Sequence, residues 1–452
     1  MHKAMRGCTA MALAVVGSGS SQAFFRGPDV ILNDIPDSAS HTPVGGIRAY
    51  TLGSGTCNMG TSDLEWDFHG SPGYSMNAFR LHDGRLEQIG MSWVKTACCA
   101  FQGAGCAISC TEGEGLGVGC RDAYQATWNA GQSALGPRSG INAFTGEFQP
   151  IPGGGGTNSI NRRLQIAETD LDSANFPGAL YFVEGMYVST GDAESFNWLN
   201  NASYQRVTFT ADTYLLSLVN GTFNKSIAAI QAWHDHGNGA NTPDLDVQII
   251  NVDVPSEGRF IVGAKAHDNG DGTWRYDYAV YNLCSDRSGG SFSVPVQGGT
   301  AVTGVGFHDV DYHSGEPYDN TNWKFVVGVN KVTWRSRQTH AQNANSNAIR
   351  WGTMYNFWFT ADRAPDDVTA TLGLFKPGTP SKVTFSVKGP GVHPCPADVS
   401  PAGGNGVVNI YDLNAVLGYW GQGAGSPGDV NGDGTVNDGD LQAMVNAWGP
   451  CG

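Results

Sequence analysis

A twelve-residue stretch near the C-terminus, Asp429 to Asp440, most constrains what this chain can fold into. Oxygen-bearing side chains occupy loop positions 1, 3, 5, 9 and 12, which are Asp429, Asn431, Asp433, Asn437 and Asp440. Gly434 is at position 6, and the backbone carbonyl of Thr435 at position 7 supplies a further oxygen. A hard cation takes about six to eight oxygens, and so short a loop surrounds one only if it turns sharply where glycine carries no steric penalty. The spacing therefore predicts a Ca²⁺ site.

A short amphipathic helix is predicted directly after this loop. Leu441, Met444, Val445 and Trp448 recur at i, i+3, i+4 and i+7, which is the apolar stripe of a helix. No helical pattern precedes the loop. The unit is therefore a loop followed by a helix.

The same unit occurs once before, 28 residues upstream, where Leu413, Val416, Leu417 and Trp420 repeat the stripe. Five residues are the candidate ligands of this first loop: Asp398, Asn405, Val407, Asn409 and Asp412. Asp398 lies 14 residues before Asp412, where the second loop has a separation of 11. This three-residue insertion predicts weaker or altered Ca²⁺ binding in the first loop.

The duplicated loop and helix, with Asp412 and Asp440 where a full helix-loop-helix hand usually has Glu, resembles the type I dockerin module. Residues Asp398 to Trp448 cover the length of that module. The resemblance implies a small calcium-folded module that docks onto a cohesin-type partner on a scaffold or cell surface. It also implies that the module's ends are adjacent, which favours a disulfide between Cys395 and Cys451.

The N-terminus has the pattern of a secretory signal peptide over residues 1–23. A basic start is followed by an apolar run from Cys8 to Val16 and by a small-x-Ala site that ends at Ala23. No later apolar run approaches the ~20 residues of a membrane helix. We therefore expect a secreted protein, extracellular or on the cell surface, with no transmembrane segment.

Cysteine usage fits an exported protein. Six cysteines cluster in the first third: Cys57, Cys98, Cys99, Cys106, Cys110 and Cys120. Disulfides are expected among them, although about fifteen pairings are open, and a zinc site is the less favoured alternative. Cys284 stands alone and is expected to be a buried thiol.

The charge excludes one class of partner. The net charge is −15, and residues 395–452 contain six Asp with no Glu, Lys or Arg. Nucleic acid is not an expected partner, because phosphate binding needs clustered Lys and Arg. With 63 Gly and only 15% charged residues, the composition is typical of an extracellular β-protein rich in turns.

The body is predicted to be mainly β, an antiparallel β-sandwich or jelly-roll-like fold, with the small α-helical calcium-binding module behind it. Short β-branched and aromatic runs, separated by Gly, Pro, Asn or Asp, recur from about Asn161 to Lys388. Earlier in the chain, Asp83-Gly84 predicts a two-residue hairpin turn. The predicted boundaries, set partly by the glycines at 153–156, are a Cys/Gly-rich β region at 24–156, a sandwich at 157–388, a linker at 389–397 and the module at 398–452.

Four stretches of the body carry a second resemblance: Gly90-Met-Ser-Trp93, Leu116-Gly-Val-Gly-Cys120, Leu135-Gly-Pro-Arg138 and Gly306 to Pro317. They resemble a family of secreted planctomycete-type proteins that often end in dockerin-like repeats. The resemblance spans most of the chain and implies no particular activity. Any indication of activity must therefore come from the individual residues of the body.

One polar constellation in the body could bind a metal: His308, Asp309, Asp311 and His313. On a strand, Asp309, Asp311 and His313 would share one face, with Glu316 on the following turn. The alternative is that these side chains fix the following loop by hydrogen bonds.

Two further motifs resemble metal sites. His234 and His236 would share a strand face, and Asp268 to Gly272 is calcium-like but is better explained as a hairpin turn. The common signatures of serine hydrolases, zincins and nucleotide enzymes are missing from the sequence.

Glycosidic cleavage would need two carboxylates, and two sets alternate beside aromatic residues: Glu65 with Asp67, and Glu184 with Asp192 and Glu194. The aromatic run from Trp351 to Phe359 is either a sugar platform or, more commonly, core.

Two functions are therefore expected. The first is a secreted β-sandwich protein with a binding or structural role, tethered through its calcium-dependent tail. The alternative is a polysaccharide-degrading enzyme, a glycoside hydrolase or lyase, delivered by that tail.

Overall fold

The computed structural model describes residues 27–66, 72–96, 99–106, 109–148, 156–391, 395–401, 404 and 406–451. The predicted signal peptide, Asp67, Cys98 and the candidate ligand Asn405 lie outside the described residues. Within them the protein is mainly β, its strands pair antiparallel, and its body is sandwich-like, as predicted.

The elements follow one another in chain order. The first thirteen strands are β1 (Val30–Asp34), β2 (Ser38–Val44), β3 (Ile47–Leu52), β4 (Ser54–Asn58), β5 (Gly73–His82), β6 (Arg85–Met91), β7 (Val94–Lys95), β8 (Arg121–Tyr124), β9 (Leu135–Gly136), β10 (Leu164–Ala167), β11 (Leu180–Val188), β12 (Ala202–Phe209) and β13 (Leu216–Asn224). The next ten are β14 (Gln248–Asp253), β15 (Arg259–Asp268), β16 (Trp274–Asn282), β17 (Gly289–Pro295), β18 (Val302–His308), β19 (Lys324–Val327), β20 (Lys331–Arg335), β21 (Met354–Ala361), β22 (Pro365–Leu374) and β23 (Lys382–Pro390). The last two are β24 (Val407–Val408) and β25 (Gly449–Pro450). The helices are α1 (Ala126–Asn129), α2 (Glu168–Leu171), α3 (Thr190–Glu194), α4 (Ala232–His236), α5 (Ile410–Gly418) and α6 (Asp438–Asn446), with 3-10 turns at Gln132–Ala134, Arg138–Gly140, Trp198–Asn200 and Ala229–Gln231.

A ten-stranded sheet forms the first large layer. Its main order is β13-β12-β11-β5-β6-β10-β3-β2, with β7 and β9 attached beside β5. A three-stranded sheet, β1-β4-β8, shares with it a core that includes Leu32, Tyr50, Met76 and Val183. Strands from both sides of position 156 pair in the ten-stranded sheet, since β10 to β13 join β2, β3, β5 and β6. Strand pairing thus groups residues 164–224 with the N-terminal region.

Two five-stranded sheets form the second part of the body. Their orders are β14-β15-β16-β21-β18 and β19-β20-β17-β22-β23. An aromatic core fills the space between them and includes Tyr278, Phe292, Trp334, Phe357 and Phe359, all fully buried. The predicted aromatic run from Trp351 to Phe359 therefore contributes its buried rings to core, which is the more common outcome for such a run.

The central strands of the first of these five-stranded sheets, β16 and β21, are buried on both faces. Along β16, Tyr276, Tyr278 and Val280 belong to the aromatic core, whereas Ala279 and Tyr281 belong to a core shared with Phe182 and Tyr204 of the ten-stranded sheet. This alternation is the two-residue period of a strand, with both faces apolar. The body is thus layered, and β16 and β21 lie in its interior.

The hairpin predictions are confirmed. His82 pairs with Arg85, and Asp83 and Gly84 have φ of 47° and 71°, which the two-residue turn requires. The segment Asp268 to Gly272 joins β15 to β16, with Asp268 paired to Trp274, so it is a hairpin turn as favoured.

The C-terminal module contains α5 and α6, and β24 pairs with β25 at its ends. Its small core includes Val408, Val416, Val436 and Met444. Cys395 and Cys451 form a disulfide with a Cα–Cα distance of 5.8 Å, as the dockerin resemblance implied.

Disulfides also join Cys57 to Cys106 and Cys110 to Cys120. Cys284 is a buried free thiol, as expected, and burial raises its pKa to about 12.

Among the described residues, the longest helices have nine residues, and none is long and apolar enough to cross a membrane.

Candidate metal centre and neighbouring cleft

The second loop brings three carboxylates together. One oxygen from each of Asp429, Asp433 and Asp440 lies within 4.8 Å of the others. Across the described part of the chain, no other three His, Cys, Asp or Glu side chains meet in this way. The sequence spacing thus corresponds to a real convergence of charge.

Backbone amides hold two of these carboxylates in place. Asp429 Oδ2 accepts from the amide of Gly434 at 3.1 Å, and Gly434 has a φ of 92°, the left-handed conformation expected at position 6. Asp440 Oδ1 accepts from the amide of Asn431, and its Oδ2 accepts from the amide of Asn437 at 2.8 Å. The loop is therefore wrapped around its own acidic side chains.

The remaining predicted ligands make hydrogen bonds within the loop. Asn431 Nδ2 donates to Asp433 Oδ2 at 2.9 Å, which is the main cause holding the pKa of Asp433 below its usual value. Asn437 Oδ1 accepts from the amide of Gly439 and caps α6, while Asn437 Nδ2 donates to the carbonyl of Thr435.

These residues fit a bound Ca²⁺. Asp429 Oδ1 is buried and has no hydrogen-bond partner. Leaving a buried charged oxygen unpaired costs free energy, and nearby carboxylates repel one another. A hard cation at the convergence point would offset both terms, and oxygen donors are the ligands it prefers.

The first loop repeats the backbone contacts of the second with two carboxylates. Asp398 Oδ2 accepts from the amide of Gly406 at 2.6 Å, and Asp412 accepts from the amides of Ser400 and Asn409, each at 2.8 Å. Asn409 caps α5 as Asn437 caps α6, and the carbonyl of Val407 accepts from Asn409 Nδ2. In both loops the first and last carboxylates hold the backbone, and the second loop adds a third carboxylate, Asp433, that converges with them.

The helix stripes are only half buried. Val416 and Met444 are fully buried, and Leu413 and Leu441 are partly buried in the module core. Leu417, Trp420, Val445 and Trp448 remain 46–58% exposed, and Ile410 and Tyr411 at the start of α5 are 51% and 68% exposed. Each repeat therefore presents apolar surface to solvent, because a core this small covers only one side of a helix.

The prediction that His308 to His313 form a strand is wrong. β18 ends at His308, and the residues that follow are irregular. His308 Nε2 lies 3.0 Å from the carbonyl oxygen of Gln88. The ring nitrogens of His313 lie 2.8 Å from the carbonyl of Met91 and 2.9 Å from Ser314 Oγ.

The two acids of this segment and Glu316 also bind protein groups or face solvent. Asn347 Nδ2 donates to Asp309 Oδ2, and Glu316 accepts from the amides of Arg138 and Ser139, each at 2.9 Å. Asp311 is exposed. The arrangement is that of hydrogen bonds fixing a loop, the alternative considered above.

A cleft of about 420 Å³ lies beside this loop. Strands β3, β6 and β10 and the segment Phe307 to His313 line it, together with Asp170 and Asn322. Burial raises the pKa of Asp309 to about 6, and the charge of Asp311 adds to that rise. Partial burial of its carboxyl group also raises the pKa of Asp311. Asp170 pairs with Arg80 at 2.8 Å. The cleft therefore gathers three carboxyl groups, two of which, Asp309 and Asp311, have raised pKa values.

The second histidine pair is not on a strand either. His234 and His236 lie in α4, where residues two apart do not share a face. His234 Nδ1 contacts Asp235, and His236 Nδ1 accepts from the amide of Asn241 at 2.8 Å.

The acids considered for glycosidic cleavage do not form a site in the described structure. Glu184 is fully buried and accepts from Asn77, Tyr281 and the amide of Ala229. Asp192 accepts from the amide of Val30 and from Asn201, and burial raises its pKa to about 7. Glu65 and Glu194 are exposed.

Sequence reasoning missed the role of Arg138. Its guanidinium is buried and donates to the carbonyls of Ser92 (2.7 Å) and Gly352 (3.1 Å) and to Asn77 Oδ1 (2.8 Å). Burial lowers its pKa to about 10. Three of the four stretches that carry the family resemblance, around Ser92, Arg138 and Glu316, meet here. The family resemblance of these stretches was the only signal in the sequence that could have pointed to Arg138.

No protein-family model and no curated protein matches the chain. Among solved structures, an exo-chitosanase from Amycolatopsis orientalis is 10% identical over 75% of this chain and 25% of that one, with a TM-score of 0.15. The B domain of a biofilm-associated protein is 8% identical over 78% and 86%, with a TM-score of 0.16, and a BSP domain is 10% identical over 97% and 68%, at 0.14. The chain spans a quarter of the length of the exo-chitosanase, and TM-scores this low assign neither fold nor function.

Proposed function

We propose that this is a secreted modular protein whose C-terminal dockerin-like module binds Ca²⁺ and docks onto a cohesin-type or cell-surface partner. The β-sandwich body has a binding or structural role at the place where the module holds it. The observation that carries the proposal is the convergence of Asp429, Asp433 and Asp440 within 4.8 Å, with Asp429 Oδ1 buried and unpartnered.

The exposed apolar residues of the two helices support the docking role. Trp420 and Trp448 occupy equivalent positions 28 residues apart and are 46% and 50% exposed. Large aromatic side chains left on a surface are typical of binding anchors. Two equivalent anchors give the partner a duplicated surface to recognise.

Calorimetric titration of the full chain with CaCl₂, after treatment with chelator, tests the metal half of the proposal. We expect Asp429→Asn to weaken the tighter site by about tenfold or more, because ligand charge tunes affinity. Asp438→Asn is the matched control, since Asp438 is an exposed acid in the same segment outside the converging group. Equal affinities of the two variants would remove the proposal's basis.

Biolayer interferometry against an immobilised recombinant type I cohesin tests the docking half. We expect calcium-dependent binding that the double change Trp420→Ala and Trp448→Ala weakens. Phe101→Ala, at a 75% exposed aromatic of the body, should leave it unchanged. A failure to bind with the calcium site intact would point to a different cell-surface partner.

A second candidate function, polysaccharide cleavage, is supported by the cleft beside β18. It holds Asp309, whose pKa is raised to about 6, with Asp311 and Asp170 nearby, and glycoside hydrolysis uses one protonated and one ionised carboxyl group. Release of reducing ends from a polysaccharide panel, lost in Asp309→Asn, is the expected result for an enzyme. A panel with no turnover favours the binding role.

A further inference from the structure

The outer edge of the second five-stranded sheet is apolar and exposed. β19 is the terminal strand of the order β19-β20-β17-β22-β23, and no described strand pairs with its other side. Phe325, Val326 and Val327 are 48%, 49% and 45% exposed, and Val329 in the following turn is 82% exposed. A bare edge of this kind is a template for an added strand.

Two of these side chains point toward the core without reaching it. Phe325 pairs with Trp334 and Val327 with Val332, and both partners are fully buried in the aromatic core. Directly opposite residues share a face, so Phe325 and Val327 lie on the core side of the sheet. Each is nevertheless about half exposed, since no further strand covers them. A strand added beside β19 would bury both.

The backbone of the same residues is also open. The amide of Gly328 donates to the carbonyl of Lys331 at 2.9 Å, which makes these two residues a hydrogen-bonded pair. Because hydrogen-bonded and non-hydrogen-bonded pairs alternate in an antiparallel ladder, Val326 and Lys324 direct their backbone groups at β20. Phe325 and Val327 therefore direct their N–H and C=O groups outward, where a strand could accept them.

The edge is also basic in a protein of net charge −15. Lys324 lies directly opposite Arg335, and Lys331 begins β20 beside the turn; all three are exposed. None of them forms an ion pair with a described carboxylate. Like charges directly opposite each other are destabilising, so carboxylates from outside would relieve the repulsion.

We propose that β19 is a docking edge for a partner protein that adds an extended strand, with alternating apolar side chains and carboxylates near its ends. The apolar side chains cover Phe325 and Val327, and the backbone pairs with the outward groups of the same two residues. The carboxylates pair with Lys324 and Arg335 at one end and with Lys331 at the other. This docking edge does not depend on the calcium module.

Fluorescence anisotropy on the full chain tests the proposal. The probe is a labelled seven-residue peptide of alternating valine and threonine with an aspartate at each end, and the control peptide has lysine at each end. We expect the acidic peptide to bind at least about tenfold more tightly than the basic one, since rim charges set partner choice. The same result is expected in Ca²⁺ and in chelator, which separates this edge from the module.

Three variants sharpen the test. The double change Lys324→Glu and Lys331→Glu should reverse the preference between the two peptides while removing the repulsion with Arg335. Val327→Pro should abolish binding of both, because it removes an outward N–H that the ladder with β20 does not use. Lys382→Glu reverses an exposed charge on β23 at the opposite edge of the same sheet and should change nothing.

Thermal melts of all variants establish that the body stays folded, and the charge reversal keeps the proposal testable if the proline variant does not fold. Equal affinity for the two peptides, or no binding of either, would overturn it. So would a dimer of the chain that Val327→Pro dissociates and the acidic peptide leaves intact, since the occupant would then be a second copy.

Discussion

The two repeats of the C-terminal module have the same helix and the same cap but differ in their loops. Asn409 and Asn437 cap α5 and α6 with nearly the same backbone angles, and Asp412 and Asp440 complete the same capping box. Asp429 and Asp440 hold the second loop's backbone as Asp398 and Asp412 hold the first, but only the second loop adds a third converging carboxylate, Asp433. The comparison teaches that a helix cap is retained although the loop before it is three residues longer, because a cap needs only residues three apart.

Removal of Ca²⁺ should produce the largest difference between the two repeats. We expect chelation to abolish amide protection in α6, where three carboxylates repel once the cation leaves, and to affect α5 less. The body strands β16 and β21, buried on both faces, should stay protected and serve as the internal control. Hydrogen–deuterium exchange measures all three regions at once. Equal loss in α5 and α6 would break the contrast, and no loss in either would refute the calcium loop.

The second-largest difference should come from replacing the carboxylate that begins each loop. Asp429→Asn should weaken Ca²⁺ binding by about tenfold or more, while Asp398→Asn should change the tight site by less than about twofold. Titration calorimetry of both variants provides the comparison. If Asp398→Asn caused the larger loss, the first loop would be the principal site.

The position-6 glycines face different surroundings. Gly406 and Gly434 have φ of 83° and 92°, so alanine at either costs about 1 kcal/mol through the left-handed backbone. A Cβ on Gly406 would lie 1.3 Å from the carbonyl oxygen of Gly298 in the body, whereas on Gly434 its nearest neighbour is Ala424 Cβ at 3.8 Å. Gly406→Ala should therefore cost a further ~1–3 kcal/mol of overpacking. Denaturant unfolding in Ca²⁺ compares the stabilities of Gly406→Ala and Gly434→Ala. Similar losses would show that the contact between module and body is easily broken.

The smallest difference between the repeats should come from removing their helix caps. Asn409→Ala and Asn437→Ala should each lower the free energy of unfolding by about 1 kcal/mol in chelator, since each removes one cap of the same geometry. In Ca²⁺ the second change should cost more, because Asn437 is also one of the proposed Ca²⁺ ligands. Unequal costs in chelator would mean that the two helices are not equivalent.

The sequence was most informative where local spacing determines geometry. The turn at Asp83-Gly84 requires positive φ at adjacent residues, and the calcium-like loop requires oxygens at fixed intervals, so both were visible without tertiary information. The strands predicted between about Asn161 and Lys388 were likewise readable from their β-branched and aromatic runs.

Sequence-based predictions were wrong where contacts between residues far apart in the chain determine the local structure. His308 ends a strand because the segment after it turns to meet β6, and no periodicity encodes that. His234 and His236 fit a two-residue period but lie in the short helix α4, which forms around the fully buried Trp233, and this burial overrides the local pattern. Arg138 reads as a surface residue, and only its four backbone and side-chain acceptors in the folded chain make its burial possible.

The bond between Cys395 and Cys451 gives the tail two covalent routes from the body to its helices. Tension arriving from the linker reaches Cys395 and divides, forward through the first loop into α5 and across the sulfur bridge through β25 into α6. The two helices then carry a pulling load in parallel. Neither loop has to straighten before the other repeat is engaged, so the module resists extension as one closed ring.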